Sequence, residues 1–267
     1  GILELSEGWL KRLHPGWAAH AGIVAALLAA RGYTGPAAAL EGRFGLFNAY
    51  ATPARPDLTR LTSGLGQEWE VLNTDFKPYP CGHVSHPYMD CARSLRAKHQ
   101  LTPEDVEAIE LRVPGAAVPI VCEPLADKRR PANAYAARFS LPYAVAVILT
   151  EGQAGIDDFS EARIRDPRIL ALTARTTYQI DNTLPFPEHF PGWVRLRLRD
   201  GSEIEARMDV SRGSREHPMT EAELHEKFES NAARTLPREA LEALWEQGLG
   251  FDGLSGVAEF TRFLAKS

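Results

Sequence analysis

Cysteine is scarce in this chain, and the little there is carries no pattern. Cys81, Cys91 and Cys122 form no CxxC pair and leave an odd count. That argues against a disulfide framework, a thiolate-ligated iron–sulfur cluster and a structural zinc, and for a reducing compartment, taken as the cytoplasm. Long apolar runs are missing too. Those around residues 21–30 and 143–149 fall short of the ~20 residues that span a bilayer, and no signal peptide stands out, so no membrane role is expected. No HExxH, DxDxDG or GxxxxGK[ST] motif occurs, and no G-x-S-x-G elbow, so metalloprotease, calcium, P-loop and serine-hydrolase chemistry have no motif to stand on. No cationic excess exists either. With 35 acidic against 30 basic side chains the net charge is −5, which argues against a nucleic-acid partner.

What is present is ordinary for a globular protein of 267 residues: 44% apolar and 24% charged side chains, enough for one large or two modest domains. Residues 1–66 read as helical. From Trp17 to Ala30 the one polar side chain is His20, which predicts a helix buried on nearly all sides, stopped at Gly32. Gly35-Pro36 opens a second helix over 37–40. Residues 69–76 suit a strand, and Pro78 and Pro80 keep 77–83 out of any helix interior. Ser85 is expected to cap a helix whose buried stripe is Tyr88, Cys91, Ala92 and Leu95. Thr102 caps a turn before a strand over 108–113, with Ile109, Leu111 and Val113 on one face. Ser140 caps an apolar helix, 141–150, ended by Gly152. Two short helices divided at Asp166-Pro167 follow over 157–174. Trp193–Met208 is a hairpin, and the facing of its apolar residues requires a three-residue loop, Arg199-Asp200-Gly201. That loop pairs Leu196 with Ile204, Val194 with Ala206, Arg197 with Glu203 and Arg195 with Glu205. Thr220 and Glu223 form a capping box, Leu241, Leu244 and Trp245 a further stripe, and Val257, Phe260 and Leu264 a last one. The plan is α+β: 1–66 part of a mostly helical domain, 67–212 an α+β domain, and 213–267 helices returning to the helical domain.

Four stretches concentrate reactive side chains without an obvious packing role. They are Lys11, His14 and His20; Lys77, Tyr79, Cys81, His83 and His86; Asn133, Tyr135, Arg138 and Tyr143; and His217 with Pro218. In the first two, a lysine and imidazoles stand just ahead of a helix N-terminus, where unpaired N–H groups favour anions. Two such ends would suit a di- or tricarboxylate, with Arg138 as a bidentate clamp. Taken one at a time, the same residues also read as a solvated basic entry, a hydrogen-bonded core histidine, a surface lysine, or a tyrosine and cysteines that fill a core. No close His/Asp/Glu cluster suggests a metal.

The order of these stretches resembles the MmgE/PrpD family. The resemblance rests on Lys-Arg-Leu-His-Pro-Gly-Trp-Ala-Ala-His-Ala-Gly at 11–22, Lys-Pro-Tyr-Pro-Cys-Gly-His at 77–83, Asn-Ala-Tyr-Ala-Ala-Arg-Phe-Ser-Leu-Pro-Tyr-Ala-Val-Ala at 133–146, and His-Pro-Met-Thr-Glu-Ala-Glu-Leu-His-Glu-Lys-Phe at 217–228. That family includes 2-methylcitrate dehydratases, cis-aconitate decarboxylases and an iminodisuccinate epimerase. It implies a discontinuous helical domain, closed by the C-terminal helices, and a smaller α+β lid. It further implies a homodimer and a cleft that needs neither metal nor organic cofactor. The activity implied is that of a lyase, of the 2-methylcitrate dehydratase type, removing a proton next to a carboxylate of a small di- or tricarboxylate; decarboxylation and epimerisation are the alternatives. Carried over position by position, Lys11, Lys77, Tyr143, His20 and His83 are the candidate catalytic residues, and His14, Arg138 and His86 the candidate substrate-binding ones. Family members carry a helical portion ahead of the 11–22 motif that adds active-site His and Asp residues. The expectation is therefore a fragment, a split enzyme whose second chain supplies that portion, or a protein without the activity.

Overall fold

A three-residue connection, with Gly201 at φ +86°, joins the two strands of the hairpin. The computed structural model describes residues 10–50 and 57–262. The chain divides into two compact units, Gly1–Leu72 and Asn73–Ser267. It is an α+β protein.

In the first unit the main helix, α1, runs from Leu10 to Ala30, longer than the apolar run alone predicts, with Pro15 inside it. Gly32 at φ +83° ends it, as expected, with the Tyr33 N–H returning to the Leu28 carbonyl at 3.1 Å. A short helix α2, Leu46–Tyr50, follows a run of turns where a helix over 37–40 was expected. Two expectations for α1 are corrected. Lys11 and His14 lie within the helix instead of ahead of it. Its apolar side chains are also exposed within the unit, Trp17 at 65% and Ile23 at 62%, instead of buried. Burial of an apolar helix is supplied by neighbours, and the described residues of this unit pack none around it. Over Leu13–Ala30 the helix is also long and apolar enough to cross a bilayer by length and composition, contrary to the reading of its shorter run. Core helices of soluble proteins pass the same test.

The second unit holds the core. The expected strand over 69–76 is replaced by an exposed one-turn 3-10 helix, Glu70–Asn73, at the boundary of the units. Then come α3 (His86–His99), β1 (Val106–Val113), α4 (Val118–Val121), α5 (Leu125–Arg129), α6 (Ala134–Ala137), α7 (Leu141–Glu151), α8 (Pro167–Ala174), β2 (Thr176–Ile180), β3 (Gly192–Leu198), β4 (Glu203–Met208), α9 (Glu221–Ala232), α10 (Arg238–Leu249) and α11 (Val257–Thr261). The four-stranded sheet has the order β2-β1-β3-β4. β1 pairs parallel to β2 and antiparallel to β3. The β3–β4 ladder carries the register that the alternation demanded: Leu196↔Ile204, Val194↔Ala206, Arg197↔Glu203 and Arg195↔Glu205. One face packs Ile109, Leu111, Val113, Val194 and Leu196 against α3 and α8, and α7 packs in turn on those two helices. The other is charged, and Trp193 is enclosed there beneath Arg112 and Arg195, whose guanidinium carbons lie 4.2 and 4.8 Å from its ring centre.

α7 is the central helix of this core. Its residues Leu141–Thr150 are all buried, and each large aliphatic side chain removed from water there stabilises by about 1.5–3 kcal/mol. Ser140 Oγ accepts the Tyr143 N–H at 3.1 Å, and Gly152 closes the helix at φ +82°. α9 begins at the expected capping box: Thr220 and Glu223 exchange side-chain and backbone hydrogen bonds. Leu264 lies outside the described residues.

Candidate functional site

Each stretch is described within its own unit. In the first, Lys11 and His14 lie three residues apart on one face of α1, whereas His20, nine residues after Lys11, falls on the opposite face. His20 stacks on Trp17 with ring centres 5.5 Å apart. The helix therefore presents Lys11 with His14, and His20 separately.

In the second unit a bend over 78–81, which contains Pro78 and Pro80, leads toward α3. A 3-10 turn, His83–Ser85, precedes that helix. Ser85 stands at the N-cap in a helical conformation and makes no capping bond, contrary to expectation; its Oγ is buried and unpartnered. His86, the first helical residue, is fully buried. Its Nε2 lies 3.4 Å from the Cys81 carbonyl, and its Nδ1 has no partner. Burial, then the neighbouring His83, push its pKa from 6.5 to about 3, and Lys77 and Arg212 act the same way. His86 is neutral at physiological pH.

His83 is more open. Its Nε2 lies 3.2 Å from Ser211 Oγ and 3.8 Å from an Asp75 carboxylate oxygen. Its ring stacks on Phe190 at 4.5 Å and tilts against His86 at 5.0 Å. Desolvation lowers its pKa, Asp75 opposes that, and Lys77 adds to it. The charges of Lys77 and Arg138 both reach Cys81, although burial dominates and holds that thiol up at about 12, which makes it a small buried hydrophobe. Arg138 arrives because its carbonyl accepts the Gly82 N–H at 2.7 Å. A neighbouring ammonium fixes the same loop: Lys128 Nζ donates to the carbonyls of Phe139 at 2.8 Å and Ile120 at 2.7 Å. The structure thus gathers Lys77, Cys81, His83, His86 and Arg138 at the N-terminus of α3.

Tyr143 is enclosed in the core. Its hydroxyl donates to the Asp158 carbonyl at 2.6 Å and its ring tilts against Phe159. Burial holds its pKa well above the ordinary tyrosine value. His217 is exposed, and its carbonyl accepts the Gly213 N–H at 2.7 Å.

Among the residues of this region not singled out from sequence, three stand out. Arg212, between β4 and α9, is buried and binds three side chains. Its Nε and one terminal nitrogen donate to Asp90 at 3.1–3.3 Å; that nitrogen also reaches Tyr79 Oη at 3.3 Å; the other donates to Glu223 Oε1 at 2.7 Å. Burial works against its charge, but Asp90 more than offsets this and raises the guanidinium pKa. Tyr79 Oη donates to Asp90 at 2.6 Å. Ser211 precedes Arg212 in the chain. The third is Lys227, half-buried on α9, whose pKa is lowered by burial and then by the charge of Lys77. The Arg-Gly step at 212–213 was the available signal: Gly213 adopts φ +91°, and a Cβ there would lie 2.0 Å from the Phe76 carbonyl oxygen. Among the described residues no group of three His, Cys, Asp or Glu side chains is gathered as a metal ion would require.

Residues 79–249 match the MmgE/PrpD C-terminal domain and residues 4–59 the MmgE/PrpD N-terminal domain. Cis-aconitate decarboxylase of Homo sapiens is 29% identical over 95% of the chain and 52% of its own length. Cis-aconitate decarboxylase of Aspergillus terreus is 23% identical over 96% of the chain and 55% of its own length. The mitochondrial 2-methylcitrate dehydratase of Yarrowia lipolytica is 28% identical over 54% of the chain and 28% of its own length. The chain spans about half the length of the cis-aconitate decarboxylases it matches.

Proposed function

The chain belongs to the MmgE/PrpD family, and from that premise we propose that it is a lyase, or the half of one, acting on a small di- or tricarboxylate without a cofactor. The supporting observation is the cluster at the head of α3, where the charges of Lys77 and Arg138 reach Cys81, and that of Lys77 also reaches a buried imidazole, His86, with an unpartnered Nδ1. An anion is the ligand that such an arrangement lacks. Lys77 and Arg138 hold carboxylates. His83 is kept neutral by desolvation and is the general base. With the proton assigned to Nε2, which faces Asp75, the Nδ1 lone pair removes a proton from the carbon next to a carboxylate. The electron pair left behind spreads into that carboxylate, where the cations stabilise it, and expulsion of a β-hydroxide completes a dehydration. In the decarboxylation variant CO2 leaves with its bonding pair left on carbon, and the carbanion takes a proton. The names of the relatives favour decarboxylation of cis-aconitate or dehydration of 2-methylcitrate. Epimerisation shares the first step.

The test follows both compounds by NMR with the purified protein. Turnover is expected, falling about 100-fold or more in Lys11→Ala and Lys77→Ala while the circular dichroism spectrum stays unchanged. Near-normal turnover in both variants refutes the assignment. A second reading, a chain that catalyses only with a second polypeptide or serves as a binding subunit, is favoured by the exposed apolar side chains of α1. Native mass spectrometry separates the two: a homodimer of this chain supports the first, and an assembly with a second, helical chain the second. We place the protein in the cytoplasm.

A further inference from the structure

Resting on the reading above, we propose that Lys227 is a further substrate ligand, sharing with Lys77 the capture of a second carboxylate and so selecting substrates that carry at least two. Lys227 lies four residues beyond Glu223 on α9, on the same face of that helix. Glu223 is the residue through which α9 is tied to the site, by its ion pair with Arg212. The same guanidinium grips Asp90, one turn into α3 beyond His86, and Tyr79, two residues after Lys77. One buried cation therefore fixes the three segments that carry Lys77, His86 and Lys227. The two ammonium groups are close enough for the charge of Lys77 to act on Lys227. Among the described residues no carboxylate lies within 4.0 Å of either. Asp90 and Glu223, the carboxylates the hub gathers, are spent on Arg212. Lys77, whose charge reaches both Lys227 and His86, joins the second ammonium to the head of α3, where the Ser85 hydroxyl and His86 Nδ1 are buried without a partner, and together they form a built anion site.

Calorimetric titration of cis-aconitate into the wild-type protein, Lys227→Met and Lys227→Arg tests this, with acetate as the monocarboxylate control. Loss of one charged hydrogen bond predicts cis-aconitate affinity about tenfold or more weaker in Lys227→Met and largely restored in Lys227→Arg, with acetate affinity unchanged. The melting temperature of Lys227→Met is expected to hold or rise, because a half-buried like charge is relieved; a lysine with a purely structural role would lower it. Lys227→Met binding cis-aconitate within about twofold of wild type overturns the role of Lys227 while the carboxylate reading stands. Weaker binding that accompanies a lower melting temperature and is not restored by arginine overturns it equally. Wild-type protein that binds neither cis-aconitate nor citrate overturns both readings together.

Discussion

Replacing Arg212 by methionine should do more damage than any other single substitution of a charged side chain in the second unit. The side chain of Asp90 is 3% exposed and that of Arg212 10%. The guanidinium supplies three of the close donor contacts to the Asp90 carboxylate, and the Tyr79 hydroxyl a fourth. Arg93, at 3.6 Å and half-exposed, is a poor substitute. Removing one partner of a buried pair leaves an uncompensated charge and costs about 3–5 kcal/mol. For a unit of this size each kcal/mol moves the melting temperature by about 2–4 °C, so a fall of roughly 10 °C is expected by scanning calorimetry. Glu223 loses its partner at the same time, which loosens α9. The double variant Asp90→Asn/Arg212→Met removes both charges and should recover about half of the loss, because what the single variant suffers is mainly the stranded carboxylate. A single variant that melts within about 2 °C of wild type, or a double variant no better than the single one, would refute the reasoning.

Two further outcomes follow from local geometry. Gly213→Ala should lower stability by about 2 kcal/mol or more and weaken carboxylate binding, since a Cβ would meet the Phe76 carbonyl oxygen at 2.0 Å and φ is +91°; chemical denaturation with unchanged Cm would contradict this. His86 gives a pH signature. Its folded-state pKa lies near 3 against 6.5 when unfolded, so below pH 6.5 the unfolded chain takes up a proton that the folded one refuses. Its contribution is complete above 6.5 and is lost as pH falls toward 3, at up to about 1.4 kcal/mol per pH unit. Urea titrations of wild type and His86→Phe across that window should show the slope reduced in the variant; equal slopes would refute it.

Local rules were legible in the sequence wherever the physical cause was local. The β3–β4 register followed from period-two alternation and one glycine. The caps at Ser140 and Thr220, and the stops at Gly32 and Gly152, followed from donors and backbone freedom within a few residues. The rest depended on partners distant in the chain. Ser85 has the chemistry of an N-cap, but the 3-10 turn ahead of it takes over that role and leaves its hydroxyl idle. β2 went unseen because Thr176–Ile180 lacks clear alternation and becomes a strand only by pairing with β1. α1 has a sequence that asks for burial, yet burial is a property of neighbours. The sequence by itself determined the α+β class, the family, and the grouping of Lys77 with His83 and His86 ahead of a helix. Only the tertiary structure decided that Arg138 joins that stretch, that Tyr143 turns into the core, and that Arg212 ties α3 to α9. Those contacts join residues up to 133 positions apart, and nothing in a local pattern encodes which buried charge will meet which.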